Sequence, residues 1–291
     1  MLDIFDIPGQ QDNIKIFYAA GTTAWQTWTK PRNCKFIWMM CVGGGAGGAG
    51  GLGFTAGAGP AGGGSGGIVR SLFPANVLPD TLYIQPGPGG AGGIGQATGV
   101  FGSSGAGNKS FVSITPSSAI TMNIVCTSGN AAAASAGGAA VGAAETIATV
   151  TNAGLLSLGN FTAIAGQAGA WSGIGAASIT PLVSTVTCGG AQGSYGDTTT
   201  GGSINATSIS PLISPGIGNT AKLNGDNGIL SQKPFFGLGG AGGGGGNLGG
   251  NGGKGGDGAY GCGGGGGGSS GTGTGGNGGK GGDGLVIIAT F

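Results

Sequence analysis

The stretch GGNGGKGGDG occupies residues 249–258 and recurs letter for letter at residues 275–284. With so few side chains, it is either a flexible linker or a device that works through its backbone. Glycine accounts for 78 of the 291 residues, against 12 prolines, 10 Lys and Arg, and 9 Asp and Glu. Disordered chains are charged and poor in apolar residues. This chain is 38% hydrophobic and only 7% charged, with a mean hydropathy of +0.25, so an ordered use of glycine is expected. Collagen orders glycine with one at every third position and abundant proline. Here the frame is Gly-Gly-X and breaks repeatedly, which excludes a triple helix.

The left-handed helix with three residues per turn and a rise of about 3.1 Å is open to glycine as well as proline. Glycine keeps its N–H, which points sideways and needs a partner on another chain segment. Lacking a Cβ, glycine backbones can approach closely enough to provide that partner. A packed array of polyglycine II helices therefore answers the opening question. Gly249, Gly250, Gly252, Gly253, Gly255 and Gly256 in the first copy, and Gly275, Gly276, Gly278, Gly279, Gly281 and Gly282 in the second, are expected to face neighbouring helices. Asn251, Lys254 and Asp257 fall on one outward edge, as do Asn277, Lys280 and Asp283, and both rows are expected to be solvated. Ten residues span about 31 Å, and the sixteen residues 259–274 suffice to run back with a turn at each end. The two copies are therefore expected to be parallel, with the polyglycine stretch of 259–274 antiparallel between them.

Strand signatures surround the tracts. NIKIFYAA (13–20), AWQTWTKP (24–31) and CKFIWMMCV (34–42) are apolar or aromatic runs bounded by turn residues. Residues 67–73, 81–86, 110–115, 120–127 and 285–291 read the same way. Helical periodicity is nearly absent; its best candidate, residues 131–150, is broken by glycine. The expected fold is a single all-β domain over 1–291, with a jelly-roll-like β-sandwich base and glycine-rich loops packed as polyglycine II helices. Residues 1–127 and 285–291 supply most of the strands. Residues 128–284 read as Ala/Ser/Thr/Gly-rich insertions, ending in the tracts of 237–284.

Several function classes are excluded. The net charge is +1 and no window is strongly basic, so no nucleic-acid partner is expected. No run of about eighteen apolar residues exists, so no membrane insertion is expected. The start MLDIFDIPGQ has no cationic region and is not expected to be a secretory signal. Cys34, Cys41, Cys126, Cys188 and Cys262 are far apart with no CxxC pair and no histidine anywhere, so they read as small buried residues rather than metal ligands. Without histidine, Ser-His-Asp and Cys-His catalysis is impossible. Asp80, Glu145, Asp197 and Asp226 stand in no motif that pairs carboxylates for glycoside hydrolysis. No cofactor, metal or catalytic residue is expected.

A W-x-K-P step, strands running into glycine blocks, and a glycine tract closing on an apolar strand carry a resemblance. The pieces are WTKPRNCKFIWMMCVGGGAGGAGG (28–51), GGGSGGIVRSLF (62–73), YIQPGPGGAGG (83–93) and GGKGGDGLVIIATF (278–291). They resemble the glycine-rich domain of bacteriophage tail fibres and the tip adhesins of T-even-like phages, whose packed polyglycine helices present loops to receptors. The resemblance covers both ends of the chain well and its middle poorly. It implies a virion component, made in the host cytoplasm and acting outside the cell. Its implied partners are a fibre shaft, tail or capsid protein and a host surface glycan or outer-membrane protein, with a homotrimer as one assembly. The family's long stalk is not seen, so docking onto another protein, or service elsewhere on the particle, is expected.

Loops on a rigid scaffold carry function, and aromatic residues between the tracts are candidate contacts. Trp171, Tyr195, Phe161, Phe101 and Tyr260 are the candidates; Phe235 and Phe236 lie in similar segments. The competing role for each is a plug filling space that glycine leaves. Trp25, Trp28 and Trp38 sit in predicted strands and read as core. One alternative shares the fold: a head fibre, decoration or minor capsid protein without a receptor role. Another is a cellular ice-binding or matrix protein built on packed polyglycine helices, which would show a flat, regular Thr- or Ala-bearing face.

Overall fold

The computed structural model describes residues 13–19, 23–53, 59–119, 123–134, 160–173, 175–182, 186–196, 199–205, 213–218, 223–232, 235–246 and 250–291. Strands are β1 (Ile14–Tyr18), β2 (Gln26–Thr29), β3 (Phe36–Val42), β4 (Ile68–Pro74), β5 (Thr81–Gln85), β6 (Phe111–Ser113), β7 (Ile124–Thr127), β8 (Asn160–Ile164), β9 (Leu230–Gln232), β10 (Phe235–Gly237) and β11 (Leu285–Thr290). One five-stranded sheet has the order β1-β11-β3-β4-β8, and a four-stranded sheet has the order β2-β5-β6-β7. Every neighbouring pair is antiparallel, and β9 and β10 pair separately. The fold is all-β, as the strand signatures require.

Alternation along the strands divides the apolar residues between two faces. Ile37, Met39 and Cys41 of β3, Val69 and Phe73 of β4, and Val286 and Ile288 of β11 meet Trp28, Leu82, Ile84 and Val112 of the second sheet in one buried cluster. That shared core makes the pair of sheets a sandwich. A register shift near Ser113 pairs Val112 with Cys126 and Ser113 with Ile124, leaving Val125 as the extra residue. The bulge lets the consecutive Val125 and Cys126 both join the inter-sheet core. The opposite face of the larger sheet holds Met40, Val42, Ile68, Leu285 and Ile287, with Trp38, Val186 and Tyr260 packed on them. Trp28 is buried core, Trp38 is half-buried on this outer face, and Trp25 packs beside Phe111 and Ile124.

Lys30 accounts for the W-x-K-P step. Its Nζ donates to the carbonyls of Ala75 (3.0 Å) and Leu78 (2.7 Å) and pairs with Asp80 at 3.1 Å. The ammonium thus ties the end of β2 to the 3-10 turn (Ala75–Val77) that leads into β5. β8 comes from the middle of the chain, where neither periodicity nor turn signals announce a strand. The helix-like stretch is non-helical over 131–134; its remainder lies outside the described residues.

Seven strands continue directly into glycine-rich segments or emerge from them at one end of the sandwich. β3 runs into 43–53, 59–67 into β4, β5 into 86–96, 102–108 into β6, β7 into 128–134, β8 into 165–170, and 274–284 into β11. These segments bond to one another with a period of three. From the 43–53 segment, Gly45, Gly48 and Gly51 donate to the carbonyls of Gly282, Gly279 and Gly276. Gly44, Gly47 and Gly50 donate to Asn108, Gly105 and Gly102, while Gly43, Ala46 and Ala49 donate to Gly67, Gly64 and Ala61. Further segments donate back: Gly90, Gly93 and Gln96 to Gly45, Gly48 and Gly51, and Gly264, Gly267 and Ser270 to Ala46, Ala49 and Leu52. Three donor directions repeating every third residue are the signature of the three-per-turn helix. The 262–270 segment is enclosed in the same way, with partners in 43–53, 59–67, 188–194, 238–246, 250–258 and 274–284.

Partner numbers that rise together mark parallel neighbours. Gly252, Gly255 and Gly258 donate to Thr274, Asn277 and Lys280, so the two repeat copies are parallel. Gly265 and Gly268 donate to Gly256 and Gly253, and Gly276 and Gly279 donate to Gly268 and Gly265, so 262–270 is antiparallel to both. The direct bonds between the copies add a contact the spacing did not foresee: the three segments form a triangle rather than a row.

Glycine is required here for close approach. A Cβ on Gly48 would sit 2.0 Å from the Gly265 carbonyl oxygen, one on Gly255 2.1 Å from that of Gly265, and one on Gly279 1.9 Å from that of Gly256. Third positions that keep room carry Ala46, Ala49 and Leu52. Gly261, in the turn between 250–258 and 262–270, is one of the few with a positive φ, at 71°. Gly249 lies outside the described residues.

Candidate functional site

Chain direction sorts the array into two ends. Segments 43–53, 86–96, 165–170, 188–194, 238–246 and 262–270 lead away from the sandwich; 59–67, 102–108, 223–228, 250–258 and 274–284 return. The joins between outgoing and returning segments therefore gather at the far end. Bridges Leu52–Gln96 and Gly53–Ser270 level three of the segments there. Ser270 Oγ donates to the Gly250 carbonyl at 2.7 Å, Ser269 N donates to Ser194, and Gly245 N donates to Thr199, which brings in four more.

The candidate contact residues divide along this axis. Phe101, Trp171 and Tyr195 all lie at the far end, drawn from three separate joins. Phe101 is 8% exposed and fills space beneath the surface. Trp171 is half-buried and rests on Ala49, Ala61 and Ala134. Tyr195 is half-buried at the end of 188–194. Phe161 sits on β8 instead, its ring 5.6 Å from Phe73 and edge-on at 81°. Tyr260 is also at the sandwich end, in the turn before 262–270, 5.3 Å from Tyr18. The backbone of Phe235 and Phe236 forms β10.

Gln192 organises the far end, and no sequence signal pointed to it. It is fully buried; its Oε1 accepts from Ser172 N (3.0 Å), Ser172 Oγ (3.1 Å) and Ala177 N (2.9 Å). Its Nε2 donates to the Gly59 and Gly173 carbonyls at 3.0 and 3.3 Å. One amide side chain therefore holds both ends of the Trp171 loop to the scaffold, with Gly173 and Gly175 taking the positive φ values of 72° and 135° that the loop requires. Ile94 and Val100 were likewise not singled out from sequence; they are 69% and 74% exposed beside Phe101. Segments 94–101, 171–173, 175–177 and 270–274 carry no charged side chain. Such a surface offers shape, hydroxyl and amide groups rather than charge.

The Asn/Lys/Asp edge is exposed but does more than face water. Asn224 and Asn227 Oδ1 accept from Lys254 N and Asp257 N, each at 2.8 Å. Asn251 and Asp257 Oδ1 accept from Thr274 N (3.0 Å) and Lys280 N (2.7 Å), and Asn277 and Asp283 Oδ1 accept from Gly95 N and Gly89 N, both at 2.8 Å. Short carboxamide and carboxylate side chains here accept the amide bonds that backbone carbonyls accept elsewhere in the array. Lys254–Asp257 (2.9 Å) and Lys280–Asp283 (2.8 Å) pair along the same rows.

All five cysteines are free thiols, four of them buried. Among the described residues, no group of three or more His, Cys, Asp or Glu side chains could hold a metal ion, and no helix is long and apolar enough to cross a membrane. A β-sandwich whose strands extend into a polyglycine bundle, with joins collected at the free end, defines a scaffold-and-loop protein. A family model described as a glycine-rich domain matches residues 19–290, and the chain belongs to that family. No curated protein matches it.

Proposed function

We propose that this chain is a structural protein of a bacteriophage virion, a tail-fibre or spike component whose array tip contacts a host receptor. The observation that carries the reading is the common placement of Trp171, Tyr195 and the exposed Ile94 and Val100 at the end away from the sandwich. The Gln192 hydrogen bonds support it, because a loop held in advance loses less entropy on binding. The resemblance of the strand-to-glycine junctions to tail-fibre domains supports it independently. A second reading, a head fibre or decoration protein, is favoured by one observation. Phe36, Leu72 and Phe291, 47%, 38% and 39% exposed, lie together on the outer face of the larger sheet, as a surface covered in an assembly would.

Gold-labelled antibody against the chain, applied to purified particles in the electron microscope, tests the reading. Gold at fibre or tail tips is the expected result. Gold on heads would overturn attachment, and a blank immunoblot of denatured particles would overturn a virion role altogether.

A further inference from the structure

A second site lies at the opposite end of the array, where the 250–258 and 274–284 segments reach the sandwich. A cavity of about 330 Å³ opens there, lined by Leu230 of β9, Asp257, Tyr260, Lys280, Asp283 and the backbone of the adjoining glycines. We propose that this cavity binds the pyranose ring of a neutral glycan. The site is separate from the tip and does not depend on the attachment reading.

The chemistry of the lining carries the assignment. Tyr260 presents an aromatic face with a polar tip, the surface that matches a sugar ring's C–H face and its hydroxyl rim. Its position is set on three sides: Tyr18 lies against it at 5.3 Å, Gly261 turns the chain behind it, and Cys262 N closes the turn on the Ala259 carbonyl at 2.8 Å. Burial raises the Tyr260 phenol's pKa, with Tyr18 and Asp283 adding to the effect and Lys280 opposing it, so the hydroxyl remains a donor.

Both carboxylates are positioned before any ligand arrives. Asp257 Oδ1 is held by Lys280 N (2.7 Å) and Lys254 Nζ (2.9 Å), and Asp283 Oδ1 by Gly89 N and Lys280 Nζ, each at 2.8 Å. Among the described residues neither Oδ2 has a hydrogen-bond partner, which leaves two fixed acceptors for sugar hydroxyls. Each carboxylate is paired with an ammonium, Asp257 with Lys254 and Asp283 with Lys280. The site therefore carries no net positive charge to favour phosphate or an acidic sugar over a neutral one. The volume sits at the lower end of the roughly 300–1,000 Å³ usual for ligand pockets, which suits one or two rings.

Saturation-transfer NMR on the whole chain tests the proposal. The probes are the methyl pyranosides of glucose, galactose, mannose and N-acetylglucosamine, with N-acetylneuraminic acid as the anionic comparison. At least one neutral glycoside should show transfer, strongest at the protons of one ring face. Tyr260→Ala should weaken its binding at least tenfold and Asp283→Asn severalfold, with Trp171→Ala unchanged. If Tyr260→Ala does not fold, Asp283→Asn and Tyr260→Phe decide, the latter expected to keep the ring contact, lose the hydroxyl donor and weaken binding severalfold. No transfer to any neutral glycoside, preference for the acidic sugar, or binding unmoved by these variants would overturn it. Loss of binding in Trp171→Ala alone would relocate the sugar to the tip and overturn this site as well.

Discussion

At the scale of single residues, two kinds of polar side chain hold this protein together where glycine cannot. Asp257 accepts the Lys280 amide and pairs with Lys254, and the two roles can be separated. Asp257→Asn keeps the acceptor and removes the ion pair, which at an exposed site contributes little; thermal unfolding should show a change of under about 0.5 kcal/mol. Asp257→Ala removes both and should cost about 1 kcal/mol. Equal effects of the two substitutions would mean that the charge, not the hydrogen bond, matters. Gln192→Leu leaves the Ser172 and Ala177 amides and the Gly59 carbonyl unpaired, with an expected cost of about 3 kcal/mol and loosening of the Trp171 loop visible in its indole fluorescence.

The thiols give a pH prediction at the same scale. Burial pushes Cys188 up to about 12, with a bond near Gly239 opposing, and raises Cys262 further. Burial also raises Cys41, and the neighbouring Cys126 adds to it. These groups keep their protons when folded, whereas unfolded thiols ionise near pH 8.5. Their contribution is therefore complete below about pH 8.5 and is lost as pH rises towards the folded values. Chemical denaturation should give a midpoint falling steadily above pH 9, and Cys34, the half-buried one, should be the first thiol to react with an aromatic disulfide reagent.

At the scale of elements, the enclosed polyglycine helix behaves unlike an α-helix or a strand. None of its inter-segment bonds forms until the neighbours are in place, so it has no stability alone. Gly265→Ala would put a Cβ 2.0 Å from the Ala241 carbonyl oxygen, against backbone that cannot swing aside. The expected cost is about 3 kcal/mol or more, whereas Ala46→Gly, at a third position, should cost about 1 kcal/mol. Differential scanning calorimetry of the two variants compares them directly, and equal losses would refute the close-packing account. β8 belongs to this scale as well. Its five residues are too short and too mixed to signal a strand, yet pairing with β4 and the Phe161–Phe73 contact recruit it into the sheet.

For the whole molecule, sandwich strands lead directly into the outgoing segments 43–53, 86–96 and 165–170, while the join at 97–101 exposes Val100. Thermolysin should cut first beside Val100, and the fragments should stay associated, because the array bonds on either side of that loop remain. A first cut within 262–270 would contradict the enclosed position of that segment. Much of this scale was legible in sequence: the Gly-Gly-X spacing predicted the array, and the length of 259–274 predicted the parallel repeats. The division of aromatic residues was not legible. Phe161 and Tyr260 look like Trp171 and Tyr195 along the chain, and only the outgoing or returning direction of each segment separates them.

The sequence by itself determined the local conformations, because strand alternation and a three-residue glycine period are properties of contiguous residues. It also determined where side chains could be tolerated, at every third position. Tertiary structure alone decided which segments became neighbours, which Asn and Asp side chains cap the edge, and which aromatic residues reach the free end. A polyglycine helix offers the same amides in three directions to any partner. Its choice of partner is set by the sandwich that roots it, and that is a long-range constraint no local stretch carries.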